Sequence, residues 1–191
     1  MDLEKIQFHI KEIIKALGED PDREGLRETP ERFARMCAEN FAGIELSNEQ
    51  IAKIYGKTFT QETFDDIVTV KDIEVFSFCE HHLALMYDMK VTVSYIPNGK
   101  ILGLSKIARI AETAAKRLQV QERLGNDIAE IITLASGSPD VAVFISAKHS
   151  CMTSRGIKNT PALTITSTLR GRFKTEPDLL KRLEVKPYEI G

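Results

Sequence analysis

The sequence predicts an α+β fold, and two observations carry that prediction. Apolar residues recur at helical spacing through the first third of the chain, whereas from Ile67 onward β-branched and aromatic residues alternate with polar ones at period two. Beyond that switch the order reads two strands, two helices, two strands. Strands that follow one another without an intervening helix favour an antiparallel sheet over a doubly wound parallel one.

Each element has its own signal. Leu3, Ile6, Ile10, Ile13, Ile14 and Leu17 mark a first helix, which Gly18 is placed to end. A polar, turn-rich segment runs from Glu19 to Glu28. Thr29 then reads as an N-cap with Pro30 at the first helical position, Phe33, Met36, Cys37 and Phe41 as the buried stripe, and Gly43 as the stop. Ser47 and Gln50 suit a capping box for a short third helix carrying Ile51 and Ile54. Ile67 to Phe78 has strand character, and Met89, Val91, Val93 and Tyr95 alternate with Lys90, Thr92 and Ser94. Pro97-Asn98-Gly99 is a turn. Ser105 opens a helix with Ile107, Ile110, Ala111, Ala114 and Leu118 on one side, and the next helix carries Leu124, Ile128, Ile131, Ile132 and Ala135. Val141 to Ala147 and Ala162 to Phe173 return to strand character, the latter setting Leu163, Ile165, Ser167 and Leu169 against threonines.

Composition bounds the function. The chain has 191 residues, 42% hydrophobic and 28% charged, which suits one packed core and excludes a disordered chain. A net charge of -2 gives no electrostatic reason to expect a nucleic-acid or membrane partner. The apolar runs are too short to span a bilayer, and Met1-Asp2-Leu3-Glu4-Lys5 lacks the apolar block of a secretory signal, so a cytoplasmic location is expected. Three cysteines are too few and too scattered for a disulfide framework.

The candidate chemistry sits in two short windows, Cys79-Glu80-His81-His82 and His149-Ser150-Cys151, which hold three of the four histidines and two of the three cysteines. Cys79 and His82 are spaced to converge on one ion from a turn, and Cys151 would supply a third ligand. Three protein ligands with a fourth position left to water is the pattern of a catalytic zinc. His81 and His149 would then be imidazoles free for proton transfer. Cys37 lies on an apolar helical stripe and reads as core.

A second candidate site is basic. Ser105 and Lys106 open a helix and Arg109 lies one turn on, so free N–H groups and positive charge coincide where a phosphate would sit. Arg155 follows the second metal window closely, and Arg32 near the start of its helix is a further candidate. The plain alternative for all of them is a solvated helix face. Gln121 and Glu122 stand at the junction of two helices, where an acid either interacts with the helix dipole or accepts hydrogen bonds from a heterocycle; the dipole reading is the simpler.

Taken together, Thr29-Pro30-Glu31-Arg32, Cys79-Glu80-His81-His82-Leu83, Tyr95-Ile96-Pro97, Gly103-Leu104-Ser105-Lys106, Arg109, Gln119-Val120-Gln121-Glu122-Arg123, His149-Ser150-Cys151-Met152, Arg155-Gly156 and Thr166-Ser167-Thr168 resemble the GTP cyclohydrolase I family in order and spacing. The resemblance implies a tunnelling fold, ββααββ, over residues 66–175, preceded by a helical extension at 1–65; the end of the chain, 176–191 with Pro177 and Pro187, reads from its own composition as a surface tail. The resemblance also implies a toroidal homodecamer with active sites between subunits. The zinc ligands fall on Cys79, His82 and Cys151. His149, His81, Ser105 and Gln121 form the implied catalytic set, with His149 as the acid that protonates the imidazole nitrogen as water attacks C8 of GTP. Glu122, with Gln121 nearby, would hold guanine. Lys106, Arg109, Arg155 and Arg32, together with Ser105, would grip the triphosphate, Arg32 from a neighbouring subunit. The implied products are formate and dihydroneopterin triphosphate. Leu85-Met86 and Met89 depart from the family's usual residues at the start of a strand and leave the ligand set intact.

Three alternatives differ in what they require. A zinc-dependent base deaminase needs Cys-x-x-Cys, which this chain lacks. A related tunnelling-fold enzyme of pterin or deazaguanine metabolism would give a different product. A noncatalytic zinc-stabilised module would close the fourth metal position and have no use for His149.

Overall fold

The computed structural model describes residues 1–60 and 66–183. The expected boundary at residue 65 and the end of the expected tail, 184–191, lie outside the described residues. Helix α1 (Leu3–Ala16) is capped by Asp2, whose carboxylate accepts from the Lys5 N–H at 2.9 Å. Helix α2 (Thr29–Asn40) packs on α1 through Pro30, Ala34 and Cys37. Thr29 begins this helix rather than capping it; Glu28 occupies the cap position without a side-chain hydrogen bond. Gly43 does not stop the helix either, and lies instead in the tight turn Ala42–Glu45. Its N–H donates to the Lys116 carbonyl, and an added Cβ would meet the Thr113 and Lys116 carbonyl oxygens at 2.2 and 2.8 Å. Helix α3 (Asn48–Tyr55) carries the expected Ser47–Gln50 capping box.

Next come β1 (Thr58–Thr60), β2 (Val68–Cys79), β3 (Ala84–Tyr95), β4 (Lys100–Leu102), α4 (Leu104–Ala115), β5 (Leu118–Gln119), α5 (Gln121–Ser136), β6 (Val141–His149), α6 (Ser150–Thr153), β7 (Thr164–Leu169), α7 (Arg172–Thr175) and α8 (Asp178–Lys181). The main sheet has the order β5-β2-β3-β6-β7, antiparallel except where β5 runs parallel to β2. β1 and β4 pair separately. The fold is therefore mixed α+β. Helices α4 and α5 cover one face of the sheet. Ile107, Ile110, Leu124, Ile128 and Ile131 are fully buried there with Val91, Val93, Val143 and Ile145 of the strands. Each such side chain contributes about 1.5–3 kcal/mol through burial. Among the described residues no helix is long and apolar enough to cross a membrane.

The row of Leu163 and Ile165 does not face the helices: these residues are 39% and 55% exposed. The threonine row packs on α5 instead, because Gly125 brings that helix against Thr168 and buried Gln121 takes Thr166 Oγ1 as a partner. The segment expected as a surface tail also starts as structure. Leu179 and Leu183 are buried with Ile96, Ala142 and Phe173 in a second, smaller core.

The two ends of the sheet hold different groups. At one end β2 finishes with Cys79, paired with Ala84 and with Gln119, while β6 finishes with His149 opposite Met86. At the other end Tyr95 closes β3 opposite Val68 and Val141, and its buried hydroxyl accepts from the Leu102 N–H at 2.8 Å, two residues before α4 begins. Between Val68 and Cys79 lie eleven strand steps, roughly 35 Å.

Candidate active site

His149 is set by its surroundings. It ends β6, and its Nε2 lies 2.8 Å from Gln121 Oε1. Gln121 is the first residue of α5 and only 1% exposed. Its amide nitrogen donates to the Ile145 carbonyl at 3.0 Å and the Thr164 carbonyl at 3.1 Å, with Thr166 Oγ1 at 3.2 Å. Two carbonyl acceptors around Nε2 fix the amide orientation, so Oε1 is the atom facing His149. That oxygen needs a donor, which places the neutral ring's proton on His149 Nε2 and leaves Nδ1 with a lone pair. Burial pushes the His149 pKa below its ordinary value, against an upward pull from the Glu122 carboxylate. The resting imidazole is neutral near neutral pH.

The Gln121 side chain is thus engaged with His149, with the middle of β6 at Ile145 and with the start of β7 at Thr164. The signal was not local: its partners are 24 to 45 residues away. Glu122, the next residue, is exposed and near enough to act on His149.

The sulfur groups gather at the same end. Cys79 is 5% exposed, and its Sγ lies 3.6 Å from His81 Nδ1. Cys151 follows on α6, and its thiol pKa is raised, first by burial and then by the neighbouring Cys79 sulfur. The hairpin between β2 and β3 turns through Leu83 at φ 51° and leaves His81 and His82 exposed. His82 Nε2 accepts from Arg155 Nη1 at 2.9 Å. Cys79 and Cys151 are thus together, with His81 on one thiol, while His82 is turned to a guanidinium. Among the described residues, no three His, Cys, Asp or Glu side chains form a group that could hold a metal ion. In donor chemistry the set fits a soft divalent ion: two neighbouring thiols and the imidazoles of the adjoining hairpin.

The basic candidates divide. Arg155 lies at the thiol end through His82. Ser105 and Arg109 are exposed and Lys106 half-buried on the first turns of α4, at the Tyr95 end of the sheet. The opposite end of α4 is the one that meets the thiol-bearing strand, where Ser77 Oγ donates to the Ala115 carbonyl at 2.7 Å. Within one chain, Ser105, Lys106 and Arg109 are not brought to His149. Arg32 is exposed on α2 and pairs with Glu28 one turn earlier at 2.5 Å.

Comparison with known proteins gives the family. The sequence profile of the family described as GTP cyclohydrolase I matches residues 6–185. The chain is 56% identical over 187 residues to the GTP cyclohydrolase 1 of Clostridium acetobutylicum, covering 96% of each chain. It is 56% identical to that of Ruminiclostridium cellulolyticum over 188 residues, again 96% of each. To that of Clostridium beijerinckii it is 54% identical, covering 95% of this chain and 94% of the relative. A solved apo structure of the archaeosine synthase QueF-Like covers 55% of this chain and 93% of its own at 21% identity and TM-score 0.45, too loose a likeness to argue from. With residues 6–185 matched by the family profile and relatives more than half identical along nearly the whole of both chains, the chain belongs to the GTP cyclohydrolase I family.

Proposed function

We propose that the protein opens the imidazole ring of GTP by hydrolysis, releases formate and yields 7,8-dihydroneopterin triphosphate, the first step toward tetrahydrofolate and other pterins. The observation that carries this reading is the buried Gln121–His149 pair beside the two thiols, in a chain over half identical to GTP cyclohydrolases along nearly its full length. His149 presents the Nδ1 lone pair, so it takes a proton from the attacking water and delivers it to the opening imidazole nitrogen. Burial keeps it neutral and ready to accept. Gln121 holds the tautomer throughout. Glu122, exposed at the start of α5, accepts from the guanine N–H groups, and His81 assists near the ribose.

Zinc is the metal this donor set suits, with Cys79, Cys151 and His82 as ligands once His82 leaves Arg155. When bound, it supplies the Lewis acidity that makes water nucleophilic near neutral pH. Arg155, released from His82, is then available to the triphosphate.

The triphosphate contacts carry a structural consequence. Ser105, Lys106 and Arg109 lie at the far end of the sheet from His149, so a site using both sets takes them from different copies of the chain. Arg32, on the helical extension, is read the same way. This supports a homo-oligomer with active sites between subunits, of which a toroidal decamer is the form we propose. In fold terms the β2-β3-α4-α5-β6-β7 order supports reading the chain as a tunnelling fold, ββααββ.

The test is incubation of zinc-loaded protein with GTP, following formate and pterin absorbance. Formate and a pterin triphosphate, both abolished by chelator, support the reading. Intact GTP despite stoichiometric zinc overturns it.

A further inference from the structure

One line of hydrogen bonds runs from the N-terminal segment to the loop carrying Cys79 and His82. Its first member is Arg117, largely buried between α4 and β5. Arg117 donates to the Gly43 carbonyl at 3.1 Å, the Leu46 carbonyl at 2.8 Å, Asn48 Oδ1 at 2.8 Å and Asp127 Oδ2 at 3.0 Å. The same Asp127 oxygen accepts from Gln119 Nε2 at 2.8 Å. Gln119 is fully buried, and its Nε2 also donates to the Ala114 carbonyl at 3.2 Å. That leaves Oε1 to accept from Arg123 Nε at 2.9 Å. Arg123 Nη2 donates in turn to the Leu118 carbonyl at 2.7 Å and to Glu80 Oε2 at 2.5 Å. The Glu80 N–H closes the line on the Gln119 carbonyl at 3.0 Å.

Each link has a fixed donor and acceptor. A flipped Gln119 amide would set its oxygen against the Asp127 carboxylate and its nitrogen against the Arg123 guanidinium, so the buried amide reads one way only. As an isolated pair, Glu80 and Arg123 are exposed enough to add little stability. Their place gives them another role. Arg123 is held on three acceptors at once, and Glu80 stands between Cys79 and His81 on a hairpin that is otherwise exposed at His81, His82 and Leu83.

We propose that Glu80, Arg123 and Gln119 are positioning residues: a strap that fixes the Cys79–His82 loop on α5 and, through Asp127 and Arg117, couples its order to the Gly43–Asn48 segment. The strap acts on the geometry of Cys79 and His82, and its relevance to catalysis rests on the reading of those residues as metal ligands.

The test has a readout that needs neither metal nor GTP. In a full-length Cys37→Ser, Cys151→Ser background, the metal-free chain reports the reaction of Cys79 with 5,5′-dithiobis(2-nitrobenzoate). Zinc affinity is measured separately, in the otherwise unmodified chain, by competition with a chromogenic chelator. Arg123→Lys and Glu80→Gln preserve size and are expected to speed Cys79 modification and weaken zinc binding, each by about tenfold, with little change in Tm. Asn48→Ala, at the far end, gives a smaller change in the same direction. Thiol rates and zinc affinities within about twofold of the parent, or changes that merely track lost thermal stability, would overturn the proposal. Because neither readout uses GTP, a wild-type chain that turns over no GTP would sink the functional reading alone. Unchanged thiol rates in an active enzyme would sink the strap alone.

Discussion

At one end of the sheet Gln121 and His149 are locked together, with Gln121 held on two strand carbonyls and a threonine. At the other, Ser105, Lys106 and Arg109 stand on the first turns of α4, just after the hydrogen bond from the Leu102 N–H to the Tyr95 hydroxyl. The first arrangement is over-determined, which suits the proton-transfer role proposed for His149. The second presents charge on an open surface, which suits the shared triphosphate contact proposed above. On that reading the contrast teaches that each chain carries two half-sites, one rigid and one open.

Breaking the first half should have the largest effect. His149→Ala removes the proton carrier and is expected to lower kcat by about 10²- to 10⁴-fold, with GTP binding retained; formate release against a binding isotherm checks both. Loss of binding together with kcat would mean that the residue is structural. Loosening the second half should be milder. Tyr95→Phe leaves the buried Leu102 N–H without its acceptor, at a cost of about 1–3 kcal/mol. Its loss should appear chiefly as a raised KM, since it loosens the start of α4 and leaves His149 untouched. A fall in kcat with unchanged KM would contradict that division. The smallest effect belongs away from both ends. Asp178→Ala breaks a pair with Lys181 in which both side chains are more than 80% exposed, and unfolding measurements should show a change within about 0.5 kcal/mol.

How much of this was legible in the sequence depends on the range of the interaction. The capping box at Ser47, the buried faces of α4 and α5, and the grouping of thiols with imidazoles all follow from residues within a few turns or strand steps of each other. The Gln121–His149 pair was not legible, because it depends on the α5 start meeting the ends of β6 and β7. The Arg117–Asp127–Gln119 line escaped for the same reason. The inward face of β7 was not legible either, because alternation alone cannot say which row faces the helices; Gly125 and Gln121 decide that from a different element. Sequence spacing also gave no hint that Lys106 and His149 lie at opposite ends of one sheet.

The most direct test of the shared site is complementation. His149→Ala chains and Arg109→Ala chains, each inactive or nearly so, are unfolded, mixed in equal amounts and refolded together. Random assembly into rings gives about one interfacial site in four with both halves intact, so the mixture should recover about a quarter of wild-type formate release. Activity no greater than the average of the two parents refolded separately would show that each chain builds its site alone, and would contradict the account.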